Sequence, residues 1–71
     1  MTAIEKTDTE RIQIEAKEYK GKDYVDVRLF FKSDDGKDWL PTKKGITIGP
    51  GKLGRLIDAL TAIKRDYDAR S

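Results

Sequence analysis

The spacing of apolar residues changes at Gly49-Pro50-Gly51, and this change most restricts how the chain can fold. Before it, apolar and polar residues alternate over positions 12–19 and again over 24–31, which is the period of half-buried β-strands. After it, apolar residues recur every three or four positions to about Tyr67, the period of an amphipathic helix. Pro50 suits the first turn of that helix, because the N–H it lacks would have no helical partner there. The chain is therefore predicted to form strands first and one helix last.

Turn-forming residues divide the first part of the chain into four predicted strands. Lys20-Gly21-Lys22-Asp23 is a tight polar connection between the first two, and 33–37 is a predicted hairpin turn because Asp and Gly tolerate positive φ. A short third strand holds Trp39 and either ends at Pro41 or lies at a sheet edge, because proline cannot donate a ladder hydrogen bond. A fourth short strand spans 46–48. The predicted class is α+β, a four-stranded antiparallel sheet followed by one C-terminal helix (ββββα).

The chain has 71 residues and neither Cys nor His, which limits how one copy can be stabilised. A chain of this length buries only about 60% of the surface that its unfolded form exposes. It has no disulfide and no thiolate or imidazole metal site to compensate. The predicted helix, about 25 Å long, can cover the sheet and also meet a second copy. We therefore expect a homodimer, and the residues assigned to dimerisation are the apolar stripe of the helix: Leu53, Leu56, Ile57, Leu60 and Ile63.

The ends of the chain and its apolar runs indicate one domain with no membrane role. Residues 1–10 are mostly polar and acidic and are predicted to be a flexible N-terminal tail, which leaves 11–71 as the folded domain. The first residues lack the basic and then apolar pattern of a signal peptide. The longest apolar run, Leu29-Phe30-Phe31, is far shorter than the roughly 20 residues that cross a bilayer. An intracellular protein is expected.

The residue types argue against catalysis and against a bound cofactor. Without His or Cys, nucleophilic chemistry lacks its usual base and thiolate, and a core this small can hardly enclose a pocket. The acidic run 34–38 lacks the alternating oxygen ligands of a calcium loop, so it is interpreted as a turn. No glycine is followed by the Lys-Ser/Thr of a phosphate-binding loop. We expect no enzyme activity, no metal and no cofactor.

Aromatic and basic residues are concentrated where the sheet is predicted. Positions 17–44 hold five of the six aromatic residues and eight of the fifteen Lys and Arg, although the net charge is only +2. Unpaired bases stack on aromatic rings, and Lys or Arg between the rings neutralise phosphates without reading sequence. Two alternatives stay open: Tyr24 and one Phe can instead be core residues, and Arg28 can pair with Asp26 or Glu15 instead of facing a ligand. The candidate DNA-binding residues are Lys17, Tyr19, Lys20, Lys22, Arg28, Phe30, Phe31, Trp39, Lys43 and Lys44.

Three blocks of sequence resemble a known family. Lys17-Glu18-Tyr19-Lys20-Gly21-Lys22, Tyr24-Val25-Asp26-Val27-Arg28 and Lys43-Lys44-Gly45-Ile46-Thr47-Ile48 occur in the order and nearly the spacing of one domain. It is the single-stranded-DNA-binding domain of the transcriptional coactivator positive cofactor four, and the likeness spans about residues 12 to 67. The resemblance implies a strongly curved sheet, a dimer formed through the helix and strand edges, and two antiparallel channels for unpaired strands.

The resemblance also implies roles for individual residues. Tyr19 matches the family's aromatic residue in the first turn, with Lys20 and Lys22 as its basic flank, and Lys43-Lys44 matches a basic pair before Gly. Arg28 and Phe31 match an Arg and a following aromatic that is commonly Trp. Trp39 has no clear counterpart. Because the Ser-rich region of eukaryotic members is absent, a bacterial or phage member is expected.

The expected function is sequence-tolerant binding of single-stranded DNA by a homodimer, in transcription, replication, recombination or repair. RNA or melted duplex is an alternative ligand, because stacking and phosphate contacts do not distinguish the sugars. A protein-interaction domain without nucleic acid is a further alternative. The expected location is the nucleoid in the cytoplasm of a bacterial or phage-infected cell, or the nucleus of a eukaryote.

Overall fold

The computed structural model describes residues 1–70, and in it four strands precede one helix. The strands are β1 (Thr2–Thr7), β2 (Glu10–Tyr19), β3 (Lys22–Lys32) and β4 (Trp39–Ile48), and the helix is α1 (Pro50–Arg70). All neighbouring strands are antiparallel and lie in chain order, β1-β2-β3-β4. The predicted ββββα class, with its four-stranded antiparallel sheet and C-terminal helix, is confirmed.

The four strands do not all lie where the sequence pattern places them. The segment predicted as a flexible tail contains β1, which pairs with β2 from Thr2↔Ile14 to Thr7↔Glu10. The sheet therefore begins at Thr2 and not at residue 11. Every residue of β1 is exposed, so this edge strand is organised mainly by its hydrogen bonds to β2 and not by apolar side chains of its own.

The predicted third and fourth strands are one continuous strand, β4, with an irregularity in its middle. Arg28 pairs with Gly45 and Phe30 pairs with Pro41, so Leu29 alone faces the three residues 42–44. We call residues 42–44 the β4 bulge. Pro41 lies in an edge strand, as predicted, but the strand does not end there. Residues 42–44, which the sequence pattern places between two strands, form a bulge within the single strand β4.

Both predicted turns are present. Tyr19 pairs with Lys22, so only Lys20 and Gly21 connect β2 to β3, with φ of 51° and 78°. Positive φ at both positions is typical of a type I′ hairpin turn, which matches the twist of the strands that it joins. In the longer connection to β4, Gly36 has φ of 72°, and the Ser33 N–H donates to the Asp38 carbonyl at 2.8 Å.

The sheet has two chemically different faces. On β2 and β3, cross-strand pairs join Ile12 to Leu29 and Ile14 to Val27, and Val27 also pairs with Ile46 on β4. We call the side that carries these residues the apolar face. The opposite side, the polar face, carries Arg11, Gln13, Glu15, Lys17, Tyr24, Asp26, Arg28 and Phe30. This division follows the predicted alternation, because successive strand residues point to opposite faces.

The helix does not cover its own sheet, which differs from the prediction. Its 21 residues correspond to a length of about 31 Å, and its main contact with the sheet is to β3. Leu53 and Leu56 are half-buried, whereas Ile57 and Leu60 are 54% and 56% exposed. Within residues 1–70, no hydrophobic side chain is fully buried in the single chain. Over the same residues, no helix has the length and hydropathy needed to span a membrane.

Candidate nucleic-acid interface

Every basic residue of β2 and β3 lies on the polar face. The pairing register puts Arg28 beside Gln13, Lys22 beside Tyr19 and Lys17 beside Tyr24. Successive strand residues point to opposite faces. The basic residues share one face because they all stand at odd-numbered positions in β2 and at even-numbered positions in β3. The basic residues concerned are Arg11 and Lys17 on β2 and Lys22, Arg28 and Lys32 on β3.

Asp26 is the centre of an ion-pair network on this face. Its side chain is only 6% exposed and lies between the cations of Lys17 and Arg28. Lys17 Nζ donates to Asp26 Oδ2 at 3.2 Å, and Arg28 donates through Nη2 to Oδ1 at 3.1 Å and through Nε to Oδ2 at 3.3 Å. The hydrogen bond from Arg28 lowers the pKa of Asp26 below its ordinary value of 3.8; Lys17 lowers it further, while burial acts in the opposite direction. Of the two arrangements left open for Arg28, the structure has the pair with Asp26.

Arg28 also connects this network to the β4 bulge. Its Nη1 donates to the Thr42 carbonyl at 2.9 Å, while the Thr42 hydroxyl donates to the Leu29 carbonyl at 2.8 Å and accepts from the Lys44 N–H at 3.1 Å. Lys43 and Lys44 are both exposed at this edge of the sheet. The bulge is therefore held from both sides, and it presents the predicted lysine pair beside the Asp26 network.

Gly45, the residue after the bulge, allows β4 to approach β3 closely. A Cβ atom at this position would lie 2.7 Å from the Val27 carbonyl oxygen and 3.0 Å from Arg28 Cα. Both of these atoms belong to the backbone and cannot rotate away. The strand register opposite Arg28 therefore requires glycine.

The β2–β3 turn carries the most exposed aromatic ring of the predicted site. Tyr19 is 64% exposed, and Lys20 Nζ lies 5.4 Å from the centroid of its ring. Tyr19, Lys22 and Tyr24 line a shallow depression together with Asp23 and Thr47. The structure thus brings together the predicted Lys17, Tyr19, Lys20 and Lys22 at one end of the polar face.

A second aromatic group lies at the other end of the polar face. The Trp39 ring is half-buried, with Arg11 Cζ at 4.4 Å and Lys32 Nζ at 5.3 Å from its centroid. With its amide oxygen turned toward Arg11, Gln13 accepts hydrogen bonds from Nη2 at 2.7 Å and from Nε at 2.9 Å. Arg11 and Lys32 are not among the candidate residues from sequence. Only the register, which pairs Lys32 with Trp39 and Arg11 with Phe30, brings them to this ring.

The two adjacent phenylalanines point to opposite faces. Phe30 is half-buried on the polar face, whereas Phe31 is 41% exposed on the apolar side, where it pairs with Leu40 and Glu10. Consecutive strand residues cannot share a face. Within the single chain, the structure therefore does not bring Phe31 together with the other candidate residues.

The acidic loop 34–38 is organised by its own hydrogen bonds. Asp35 accepts from the Ser33 hydroxyl at 2.5 Å and from the Lys37 N–H at 3.0 Å, and these bonds lower the pKa of Asp35. The side chain therefore stabilises the turn. No group of three or more acidic, His or Cys side chains arranged to hold a metal ion occurs in residues 1–70.

Solved structures of two related proteins share this architecture. The structure of BPSL1147, a PC4 homolog from Burkholderia pseudomallei K96243, superposes with a TM-score of 0.85 in its orthorhombic crystal form, at 40% sequence identity, covering 92% of this chain and 86% of that chain. The bacteriophage T5 homolog of the eukaryotic transcription coactivator PC4, implicated in recombination-dependent DNA replication, has a TM-score of 0.72 at 21% identity, covering 94% of this chain and 80% of that chain. The phage protein supports the fold alone.

Sequence comparison leads to the same family. A Caenorhabditis elegans protein named "Putative RNA polymerase II transcriptional coactivator" is 29% identical over 49 residues, which are 69% of this chain. The chain spans only 40% of that protein. The family model Transcriptional Coactivator p15 (PC4) matches residues 6–59. The resemblance found in the three sequence blocks is therefore confirmed, and the chain belongs to the Transcriptional Coactivator p15 (PC4) family.

Proposed function

We propose that two copies of this chain form a homodimer that binds single-stranded DNA with little sequence preference. The observation that carries the proposal is the separation of the two sheet faces: the cations of β2 and β3 and four aromatic rings lie on the polar face. Phosphate neutralisation by Lys and Arg and stacking of bases on rings are the two interactions on which such binding depends. The four rings are Tyr19, Tyr24, Phe30 and Trp39.

We assign phosphate binding mainly to exposed lysines that do not pair with Asp26. Lys20 lies in the β2–β3 turn and Lys22 follows it, at one end of the face, while Lys43 and Lys44 lie in the β4 bulge at its edge. Lys17 and Arg28 are bound to Asp26, so a phosphate must compete with that carboxylate for them. We therefore expect these two cations to contribute less to affinity than their charge suggests.

Base stacking is assigned first to Tyr19. Its ring is 64% exposed beside a two-residue turn, so a base can stack on it without displacing other side chains. Such stacking contributes roughly 1–3 kcal/mol per base and tolerates any sequence, because every base has a π-face. Phe31 is proposed to take part only if the second protomer places it beside the polar face.

The dimer is proposed because a single chain leaves its apolar surfaces uncovered. The apolar face of the sheet is only half-buried over Ile12, Ile14 and Val27, and the apolar stripe of α1 is exposed from Ile57 onward. Large contiguous apolar surfaces are rare on stable monomers. The stripe of one copy and the apolar surface of another can cover each other, so that both sheets present their polar faces outward.

Titration with oligonucleotides tests the proposed function. Binding of labelled single-stranded DNA, duplex DNA and RNA should be measured by fluorescence anisotropy at several salt concentrations. We expect the single strand to bind more tightly than duplex, with the logarithm of the affinity falling linearly with the logarithm of salt concentration. RNA that binds as tightly as DNA would extend the ligand class to both. Failure of every oligonucleotide to bind at low salt would contradict the proposal.

Two substitutions locate the site on the polar face. Tyr19→Ala and Lys43→Ala should each weaken binding of single-stranded DNA, by about tenfold for the loss of one stacked base, while melting stays like that of the wild type because both side chains are exposed. Lys37→Ala is the matched control, since it removes one cation from the 33–38 loop. Equal affinities for all three variants and the wild type would place the site elsewhere.

A further inference from the structure

The Trp39 end of the polar face differs chemically from the Tyr19 end. At the Tyr19 end the ring is largely exposed, whereas the Trp39 ring is half-buried and has the Arg11 guanidinium carbon 4.4 Å from its centroid. With its amide oxygen turned toward Arg11, Gln13, which is 7% exposed, accepts from two nitrogens of the guanidinium. The Trp39 indole therefore lies below the guanidinium, and Gln13 lies beside it.

A guanidinium held in this way offers a surface on which a base can stack. It is planar, it is permanently charged, and nucleobases stack on Arg planes as they do on aromatic rings. Lys32 is exposed, and its Nζ lies 5.3 Å from the centroid of the same indole ring. Its charge can therefore neutralise a phosphate next to the stacked base. The cluster therefore contains a planar cation, an aromatic ring beneath it and a second cation beside them.

We propose that Arg11, Trp39 and Lys32 form a second base-stacking station, at the end of the polar face remote from Tyr19. The inference rests on the proposed function and adds the place and the chemistry of a second contact. The base stacks on the Arg11 guanidinium, which Trp39 supports from behind, and Lys32 binds a neighbouring phosphate. Trp39 thus acts through Arg11 and is a positioning residue.

The distance between the two stations sets the length of strand that can occupy both. Tyr24, next to the Tyr19 end, and Lys32 are eight positions apart on β3, which corresponds to about 27 Å. At the rise of about 3.4 Å per nucleotide of a stacked strand, this is roughly eight nucleotides, and fewer for an unstacked strand. A shorter oligonucleotide occupies one station, and a longer one bridges both.

The test is the dependence of affinity on oligonucleotide length. Wild type, Arg11→Lys, Trp39→Leu and Trp39→Phe should be titrated with oligothymidylates of about 4 and about 12 nucleotides. For the longer strand we expect about a tenfold loss in Trp39→Leu and several-fold in Arg11→Lys, which keeps the charge but loses the plane. For the shorter strand we expect the affinity to fall by no more than about twofold, because a short strand should bind at the Tyr19 end, where more lysines lie close together.

The single tryptophan supplies a direct readout at the station itself. Its emission should change strongly with the longer oligonucleotide and little with the shorter one. Trp39→Phe should retain the long-strand affinity, which a loss of stability alone would not predict. The control Lys37→Ala should bind oligonucleotides of both lengths like the wild type. If Trp39→Leu does not fold, the folded Arg11→Lys variant decides the question.

Three outcomes are distinguishable. Length-dependent loss in Arg11→Lys together with the emission change supports the station. Long-strand affinity that is unchanged in Arg11→Lys, with emission that does not respond to length, overturns it and leaves DNA binding at the Tyr19 end intact. Absence of binding by the wild type at both lengths overturns the station together with the proposed function.

Discussion

Asp26 is a nearly buried carboxylate on a sheet face whose strands β2 and β3 carry five cations. Its role is to hold Lys17 and Arg28 in place and, through Arg28, to hold the Thr42 carbonyl of the β4 bulge. A charge-assisted network of this kind is costly to break, because the remaining charges stay partly buried without their counter-ion.

We predict that Asp26→Asn lowers the free energy of unfolding by about 1–3 kcal/mol at neutral pH. The pKa of Asp26 is lowered in the folded state, so the carboxylate stabilises the fold above its ordinary value of 3.8, and this contribution is lost as the pH falls through the lower folded-state value. Urea unfolding at pH 7, 5 and 3 should therefore show a constant difference between wild type and variant at the two higher pH values and a smaller one at pH 3. A difference that grows at acid pH would contradict this assignment.

Gly45 is required by contact and not by backbone conformation. Gly45→Ala should destabilise the protein by about 1–3 kcal/mol, since the new methyl group would lie 2.7 Å from the Val27 carbonyl oxygen. Gly49→Ala is the matched control, because its Cβ would have no heavy atom within 4 Å. Thermal unfolding of both variants measures the difference. Equal melting temperatures would show that β4 can shift away from β3 at no cost.

At the scale of elements, the β2–β3 turn combines a backbone requirement with a proposed binding role. Lys20 has φ of 51°, in the left-handed region that Asn tolerates better than Lys. Lys20→Asn should therefore stabilise the hairpin by up to about 1 kcal/mol. It should also reduce the salt dependence of single-stranded DNA binding by about 0.7 in log–log slope if Lys20 neutralises one phosphate. Chemical denaturation and salt titration measure the two effects, and lower stability in the variant would contradict the turn assignment.

Strand β4 shows how an element can be mistaken when only its sequence is considered. Pro41 and Gly45 are both residues that interrupt strand patterns, and between them the alternation of apolar residues is lost. Hydrogen bonds of Thr42 and Arg28 nevertheless carry the strand across the irregularity. The resulting bulge keeps Lys43 and Lys44 at the edge of the sheet, where both side chains are exposed.

At the scale of the whole molecule, the single chain lacks a closed core. Its principal extents are 41, 40 and 18 Å, so sheet and helix spread out instead of stacking into two full layers. The exposed part of the α1 stripe and the apolar face of the sheet are the surfaces that the proposed second copy would cover. Stability and dimerisation are then expected to be coupled, as in homodimers without a stable folded monomer.

Leu60 tests that coupling. Leu60 is 56% exposed in the single chain, so Leu60→Asp should act on the dimer and not on a core within one chain. We expect the variant to sediment as a monomer or to unfold at concentrations where the wild type is a folded dimer. Ala62→Asp is the matched control, since it adds the same charge about 200° around the helix from Leu60. A dimer of unchanged affinity in Leu60→Asp would place the interface elsewhere.

Much of the architecture follows from properties that are local in the chain. The alternation around Ile12 and Val27 identifies the two sheet faces, the Lys20-Gly21 pair marks the hairpin, and Pro50 marks the start of α1. Each of these depends on covalent geometry or on the φ preference of one or two residues. The family is likewise accessible from three short blocks, and the family model and the solved structures confirm it.

Tertiary structure alone decided which distant residues meet. Strand β1 exists because β2 offers it hydrogen-bonding groups, although its own residues are all exposed. Arg11 and Lys32 meet Trp39, and Arg28 meets Thr42, because of strand register. A shift of one residue in the register would move every side chain of the shifted strand to the other face. Local periodicity cannot specify that alignment, so the polar network and the Trp39 cluster become visible only in the folded sheet.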